Sequence, residues 1–207
     1  MIRNVIGEMP AAMRLKPNAR SDILATGIGQ CRPVAFSGKL IRVTGMDYAN
    51  TDDLLSGDGS LHYGGRYNSK GRFRAIYASM ELDTATAELL AHHRHQGRPD
   101  PEAEVFPIAA VSLEIEVDRL LDLTNSSTRR KLKVKLKDLV GDWQGVQGRG
   151  REALTQAIGR LALAASFQGL FAPSAARRGG RNVVLFRELI AEDQLRIIRK
   201  EKLPKKT

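Results

Sequence analysis

Few residues in this chain could do chemistry, and most local patterns among them fail on spacing. His92, His93 and His95 cluster as metal ligands do, but no completing ligand sits at a persuasive distance in sequence. Cationic side chains at the end of a helix are explained equally well by the negative pole of the helix dipole, so no metal is expected. Gly27-Ile-Gly29 and Gly57-Asp-Gly59 do not complete a dinucleotide fingerprint between a strand and a helix, and no Walker A pattern exists. There is no Gly-x-Ser-x-Gly elbow, and Cys31 lacks a local nucleophile signature. As the only cysteine, Cys31 also excludes an intramolecular disulfide and a thiol-only zinc site. Taken singly, Arg42 is an ordinary strand arginine, Glu88 a helix carboxylate, Tyr77 a core ring and Ser174 a turn residue after Pro173.

The elements that must position these residues follow from periodicity. Lys39–Thr44 is short, β-branched and bounded by Gly38 and Gly45, which predicts a strand carrying Arg42. Thr51 to Gly65, rich in Gly, Ser and Asp, reads as a loop. Phe73–Ala78 reads as a second strand. Asp83 can cap a helix running to about His95, in which Ala85, Glu88, Leu89 and His92 share an inward-leaning stripe. Val111, Leu113, Ile115 and Val117 alternate as a half-buried strand does. Arg129–Val140 fits a helix capped near Asn125 or Ser126, although its alternating lysines also fit a strand. Arg151–Ser166 has firmer helical spacing. Gly169–Ala172 and Asn182–Glu188 read as strands around a basic turn, and Gln194–Ile198 as an edge strand before a disordered tail. Strands and helices do not alternate strictly, so the fold class expected is α+β. Residues 1–37, punctuated by Pro and Gly, read as an extension or loosely attached cap. The domain proper is expected over 38–190, with 191–207 as a C-terminal strand and basic tail.

With 42% hydrophobic and 27% charged residues, the chain has the balance of a soluble globular protein. Its 207 residues suffice for one real core. No secretory signal and no transmembrane run is visible, so the cytoplasm is the expected compartment and no membrane association is expected. The net charge of +10 raises the question of an acidic partner (nucleic acid, an acidic protein segment or a phosphate-bearing small molecule), although a charge run is more often a solvated face. The excess lies in Arg129–Lys137, Arg177–Arg181 and Arg199–Lys206. No aromatic residue interleaves the first run, which argues against a single-strand stacking platform and makes direct nucleic-acid binding the weaker reading.

Three segments together carry a resemblance to a known family. Leu40-Ile-Arg42-Val is followed by Leu55-Ser-Gly-Asp-Gly59 and Gly64-Gly-Arg66-Tyr-Asn68. Ala75-Ile-Tyr77-Ala-Ser79 leads into Ala85-Thr-Ala-Glu88. Gly141-Asp-Trp143 precedes Gln168-Gly-Leu170, Pro173-Ser174 and Asn182-Val-Val-Leu-Phe186. In order and spacing this set, from about Lys39 to Glu188, resembles the RES-domain family of bacterial toxins. Gly-Gly-Arg-Tyr-Asn is moderately specific alone, and the ordered set is strong.

The resemblance implies an ADP-ribosyltransferase-like split β core with flanking helices, forming a cleft for NAD⁺ as substrate and needing no cofactor. It implies Arg42, Glu88 and Ser174 as catalytic residues, with Tyr77, Arg66 and Asn182 as substrate-binding ones. Arg42 would hold the diphosphate or an adjacent ribose through its planar fork of donors, with Arg66 as a second cation. Glu88 would stabilise the oxocarbenium-like ribose left when nicotinamide departs. Tyr77 would offer a ring face to nicotinamide or a hydroxyl to ribose, and Ser174 would hydrogen-bond the substrate. Val43 stands where the family often has an aromatic and Tyr67 where tryptophan is usual, so ring packing against the nucleotide is where this chain should differ. The implied activity is cleavage of the nicotinamide–ribose bond by water or phosphate. Mono-ADP-ribosylation of a protein is the alternative, and a non-catalytic nucleic-acid-binding protein is the rival from another class. The implied partner is a helix-turn-helix antitoxin, in a complex that could be oligomeric, with Arg177–Arg181 as its expected contact. Residues 1–37 would be an ordered cap, or a docking or export element of a secreted effector.

Overall fold

A computed structural model describes residues 16–95 and 100–204. The first fifteen residues of the expected extension and the last three of the basic tail lie outside them. The frame is a six-stranded sheet of order β1-β2-β5-β4-β3-β6, in which β1 also pairs with β3. Its strands are β1 (Val34–Gly45), β2 (Ala75–Ser79), β3 (Ile108–Asp122), β4 (Gly169–Pro173), β5 (Arg181–Phe186) and β6 (Leu195–Leu203).

The pairing divides this sheet into two halves. In one, β3 lies between β1 and β6, antiparallel to both. In the other, β5 lies between β2 and β4, again antiparallel. The halves meet through the parallel run Leu120–Asp122 with Gly169–Phe171, and through one pair, Ile41 with Ser79. Beyond that pair β1 and β2 diverge.

Two apolar layers explain the strand sequences. Leu40, Val111, Leu113, Ile115 and Val117 pack with Ile76, Ala78, Val183 and Leu185 in one core. The alternate residues Ala75, Val184, Phe186, Leu170 and Ala172 pack into a second core with helices α1 (Ser21–Gly29) and α9 (Leu154–Ala164). Central strand β5 is therefore covered on both faces, which is why Val183–Phe186 is continuously apolar rather than alternating. Strand β6 pairs only with β3 and stays mostly exposed, and its Arg and Lys residues protect an open edge.

Three expectations need correction. The stretch read as a loop holds α2 (Thr51–Ser56) and α3 (Asp58–Tyr63). Asn50 caps the first by accepting from the Asp53 amide at 2.9 Å, and Gly57, at φ 73°, ends it. The helix expected over Arg129–Val140 is two, α6 (Ser126–Lys131) and α7 (Leu136–Leu139), because the chain turns at Lys133 with φ 53°. Finally, the segment from Lys16 onward is no loose cap. Leu24 and Ile28 of α1 are fully buried, and Gly27 lies so close to the Lys131 carbonyl that a Cβ would sit 2.4 Å from it. Three further helices complete the fold: α4 (Leu82–His95), α5 (Pro101–Val105) and α8 (Trp143–Gly148).

Candidate active site

Where β1 and β2 part, the gap opens into a cavity of about 660 Å³, within the range of small-molecule sites. Its floor is one side of β2, where Ala75, Tyr77 and Ser79 alternate toward it. Its walls come from β1, α4, the Gly64–Arg66 loop and the α7–α8 connection. Arg42, Arg66, Tyr77, Glu88 and Asn182 all line it, and Ser174 lies buried just behind. The structure thus brings together residues 42 to 182 that share no local motif.

Glu88 is the centre of the arrangement. Its Oε1 accepts from the Ser174 hydroxyl at 2.6 Å, the Asn182 side-chain amide at 2.7 Å and the Ala175 backbone N–H at 3.1 Å. All three donors are neutral and all converge on one oxygen. Among the described residues, Oε2 receives no hydrogen bond and Glu88 has no cationic partner. The carboxylate is held by one oxygen, and Glu88 lines the cavity.

The supports of Glu88 are themselves fixed. Ser174 spends its single donor on Glu88 and accepts from the Ala176 and Arg177 amides at 3.2 and 3.0 Å. Within the chain its hydroxyl is engaged in holding the carboxylate and the start of the β4–β5 turn. Asn182 is likewise committed at both ends, with Oδ1 accepting from Ser79 Oγ at 2.7 Å. This fixes the orientation of its amide.

Arg42 reaches across the opening and donates from Nη1 to the Tyr77 carbonyl at 3.1 Å. Its Nε is buried with no partner among the described residues. Burial, opposed by the more distant Asp53 charge, pushes the guanidinium down to about 10, still fully charged at neutral pH. A buried donor without an acceptor is costly, and an anion in the cavity would relieve it.

Tyr77 departs from expectation in its hydroxyl. It donates to Asn68 Oδ1 at 2.8 Å and accepts from the Tyr67 amide at 2.9 Å, leaving only the ring for a ligand. Burial drives this phenol well above the ordinary tyrosine range, so it stays a donor. Asn68, fully buried, also donates to the carbonyls of Ser60 at 2.8 Å and Phe73 at 3.2 Å. Gln156 ties the loop to α9 through Gly65 O at 3.2 Å, and a Cβ on Gly159 would sit 1.7 Å from Tyr67 O. The Gly64–Asn68 loop is therefore clamped from three sides. Arg66 emerges from it and donates through Nη1 to the carbonyls of Leu139 at 3.2 Å and Gly141 at 2.7 Å. Tyr67 does not replace a ring against a ligand: it is 2% exposed and points into the helical core, its hydroxyl buried without a partner.

Sequence reasoning missed Asn68, Gln156 and Gly159, whose signals are ordinary until the loop they clamp is seen in place. It also missed that Arg177 is internal to the site's frame. Arg177 pairs with Glu81 and with Asp83 at 3.7 Å and donates to Thr84 Oγ1 at 3.2 Å, tying the β4–β5 turn to the start of α4. Of that basic run, Arg178 and Arg181 remain exposed.

Comparison with known proteins agrees with this architecture. Curated relatives from Mycobacterium tuberculosis and Mycobacterium bovis, each named NAD(+) phosphorylase MbcT, are 34% identical over 137 residues. The aligned stretch is 64% of this chain and 66% of theirs, just under two-thirds of the relatives' length. The fold is similar to that in the crystal structure of the M. tuberculosis MbcT–MbcA toxin–antitoxin complex. The TM-score is 0.73 at 24% identity, over 90% of this chain and 94% of that one. A family model described as the RES domain matches residues 39–204, and the chain belongs to that family.

Proposed function

We propose that the cleft binds NAD⁺ and that the protein cleaves its nicotinamide–ribose bond, with inorganic phosphate as the favoured acceptor and water as the other. The observation that carries this is Glu88: a cavity-lining carboxylate fixed by three neutral donors on one oxygen and paired with no described cation. Breakage of the C1–N bond sends the bonding pair to nicotinamide and leaves positive charge on the ribose. A preorganised carboxylate interacts more strongly with that charge than with the ground state, which is the condition for catalysis. Oε2 can meanwhile accept from a ribose hydroxyl and fix the sugar. An acceptor oxygen then bonds C1, giving ADP-ribose 1-phosphate or ADP-ribose.

Arg42 supplies charge and an unsatisfied Nε for the diphosphate, and Arg66 a second cation anchored at one nitrogen. The divided sheet around the cleft supports the finer reading of an ADP-ribosyltransferase-like split core. The name of the mycobacterial relatives favours phosphorolysis over transfer to a protein. The protein would act as a cytoplasmic toxin restrained by a helix-turn-helix antitoxin, with exposed Arg178 and Arg181 as candidate contacts.

The test is nicotinamide release from NAD⁺ by wild type and Glu88→Gln, with and without phosphate, identifying the nucleotide product. Release by wild type alone, with ADP-ribose 1-phosphate formed when phosphate is present, is expected. Equal release by both proteins, or by neither, would overturn the assignment.

A further inference from the structure

The cleft is graded along its length, and β2 is the ruler. Ser79, Tyr77 and Ala75 line the floor in turn, so the two ends are four residues apart, about 13 Å at ~3.3 Å per residue. At the Ser79 end stand Asn182 and Glu88. In the middle, Arg42 is bonded to the Tyr77 carbonyl. At the Ala75 end the strand is tied to α3, the Ala75 amide donating to Ser60 Oγ at 2.7 Å.

One residue there has no structural explanation. Tyr63, at the end of α3, lines the cleft and yet is 77% exposed, the most exposed of the described large hydrophobic residues. Among the described residues its ring stacks on no other aromatic. Its neighbour Gly64 packs on α8, where a Cβ would lie 2.8 Å from Gln147 Oε1, and Arg66 binds the Gly141 carbonyl just before α8. These contacts bring α8 and the turn before it against the loop, and half-buried Trp143 and exposed Val140 also line the cavity. An exposed aromatic and a tryptophan lining one cavity offer π faces that folding does not require.

Resting on the NAD⁺ reading above, we propose that Tyr63, together with Trp143 of the same cavity wall, holds the adenine of the dinucleotide at the end of the cleft away from Glu88. The order along β2 is then carboxylate, guanidinium, aromatic rim, and along the substrate ribose cation, diphosphate, purine. The adenine half contributes binding remote from the reacting bond, so the enzyme prefers the dinucleotide to nicotinamide mononucleotide.

Trp143 is the only tryptophan in the chain, so its emission reports on this cavity directly. The experiment titrates ADP-ribose, which has the purine and both phosphates but no scissile bond, against wild type, Tyr63→Ala and Tyr63→Phe. Ribose 5-phosphate is the purine-free control, and thermal unfolding at the wild-type temperature verifies the fold of each variant. Saturable quenching by ADP-ribose, weakened about tenfold by Tyr63→Ala, retained by Tyr63→Phe and absent with ribose 5-phosphate, is expected. In turnover, the preference for NAD⁺ over nicotinamide mononucleotide should shrink by a similar factor, through KM rather than kcat. Unchanged ADP-ribose affinity in Tyr63→Ala would overturn the proposal and leave Tyr63 as a contact for a protein partner. Failure of wild type to bind ADP-ribose would also overturn it. In that case continued nicotinamide release leaves the cleavage reading standing, and no release removes both. Tyr63-dependent binding without any cleavage would keep the adenine site and remove the cleavage reading.

Discussion

Two glutamates in this molecule are held by comparable numbers of bonds and do opposite work. Glu152, 6% exposed, meets Arg160 in a two-pronged pair, Nε to Oε1 at 2.7 Å and Nη2 to Oε2 at 2.9 Å. It also accepts from the Asn18 amide at 3.1 Å, pinning the chain before α1 to α9. The pair raises the Arg160 pKa, chiefly by the Glu152 hydrogen bond, as expected where each charge stabilises the other. Glu88 is held just as firmly but only by neutral donors, all on one oxygen. One carboxylate has its field cancelled by a fixed cation and serves the fold. The other keeps its field for whatever enters the cleft. Burial and bond count do not separate a structural carboxylate from a functional one; the charge of the partners does.

The contrast breaks most visibly at Glu88. Glu88→Gln keeps the shape and loses the charge, and should lower kcat by about 10²–10³-fold, the usual cost of removing one preorganised electrostatic group. The melting temperature should stay within a degree or two. Steady-state nicotinamide release and calorimetry on the same preparation test both halves. A matching loss of stability would mean that Glu88 is as structural as Glu152.

Glu152→Ala is the mirror experiment. It strands the Arg160 guanidinium and frees the Asn18 amide, for a loss of about 2–3 kcal/mol. The lower end is expected because Arg160 is about one-third exposed and can rehydrate (31% of its side chain). Urea unfolding should show the loss while kcat in the folded protein holds. Asn182→Ala should be milder and fall on the other side of the contrast. It removes one of three donors to Glu88, leaves Ser174 and Ala175 in place, and is expected to lower kcat about tenfold with KM little changed. A change in KM alone would return Asn182 to direct substrate contact.

Much of this was legible in the sequence where period and order carry the signal. The alternation of Val111 to Val117 predicts a strand whose apolar side is fully buried, and Ala85 to His92 predicts the α4 stripe that presents Glu88. Arg42, Arg66, Tyr77, Glu88 and Asn182 do line one cavity. What stayed hidden depends on distant partners. Nothing local distinguishes Glu152 from Glu88, because the difference is Arg160 on one side and Ser174 and Asn182 on the other. Helix α1 is short, and its burial depends on Gly27 meeting Lys131, over a hundred residues away. Tyr77 reads as a ligand for substrate until Asn68 and the Tyr67 amide are seen to occupy its hydroxyl.

Tyr67 sharpens the contrast from a third side, as a buried polar group whose hydroxyl has no hydrogen-bond partner among the described residues. Folding strips its water and returns nothing. Tyr67→Phe removes that hydroxyl and keeps the ring in its core site, and should stabilise the protein by about 1 kcal/mol at neutral pH. The sign of the pH dependence follows from burial, which raises both Tyr67 and Tyr77 far above their unfolded values. Stability tied to their neutral forms is complete below pH ~10, the ordinary tyrosine value, and is lost as pH rises beyond it, because the unfolded chain then ionises first. Tyr67→Phe deletes one of the two groups, so its advantage over wild type should widen above pH ~10. Urea denaturation at neutral and alkaline pH measures both effects. A destabilised Tyr67→Phe would mean that the hydroxyl is satisfied in solution, and that this core tolerates no unpaired polar group at all.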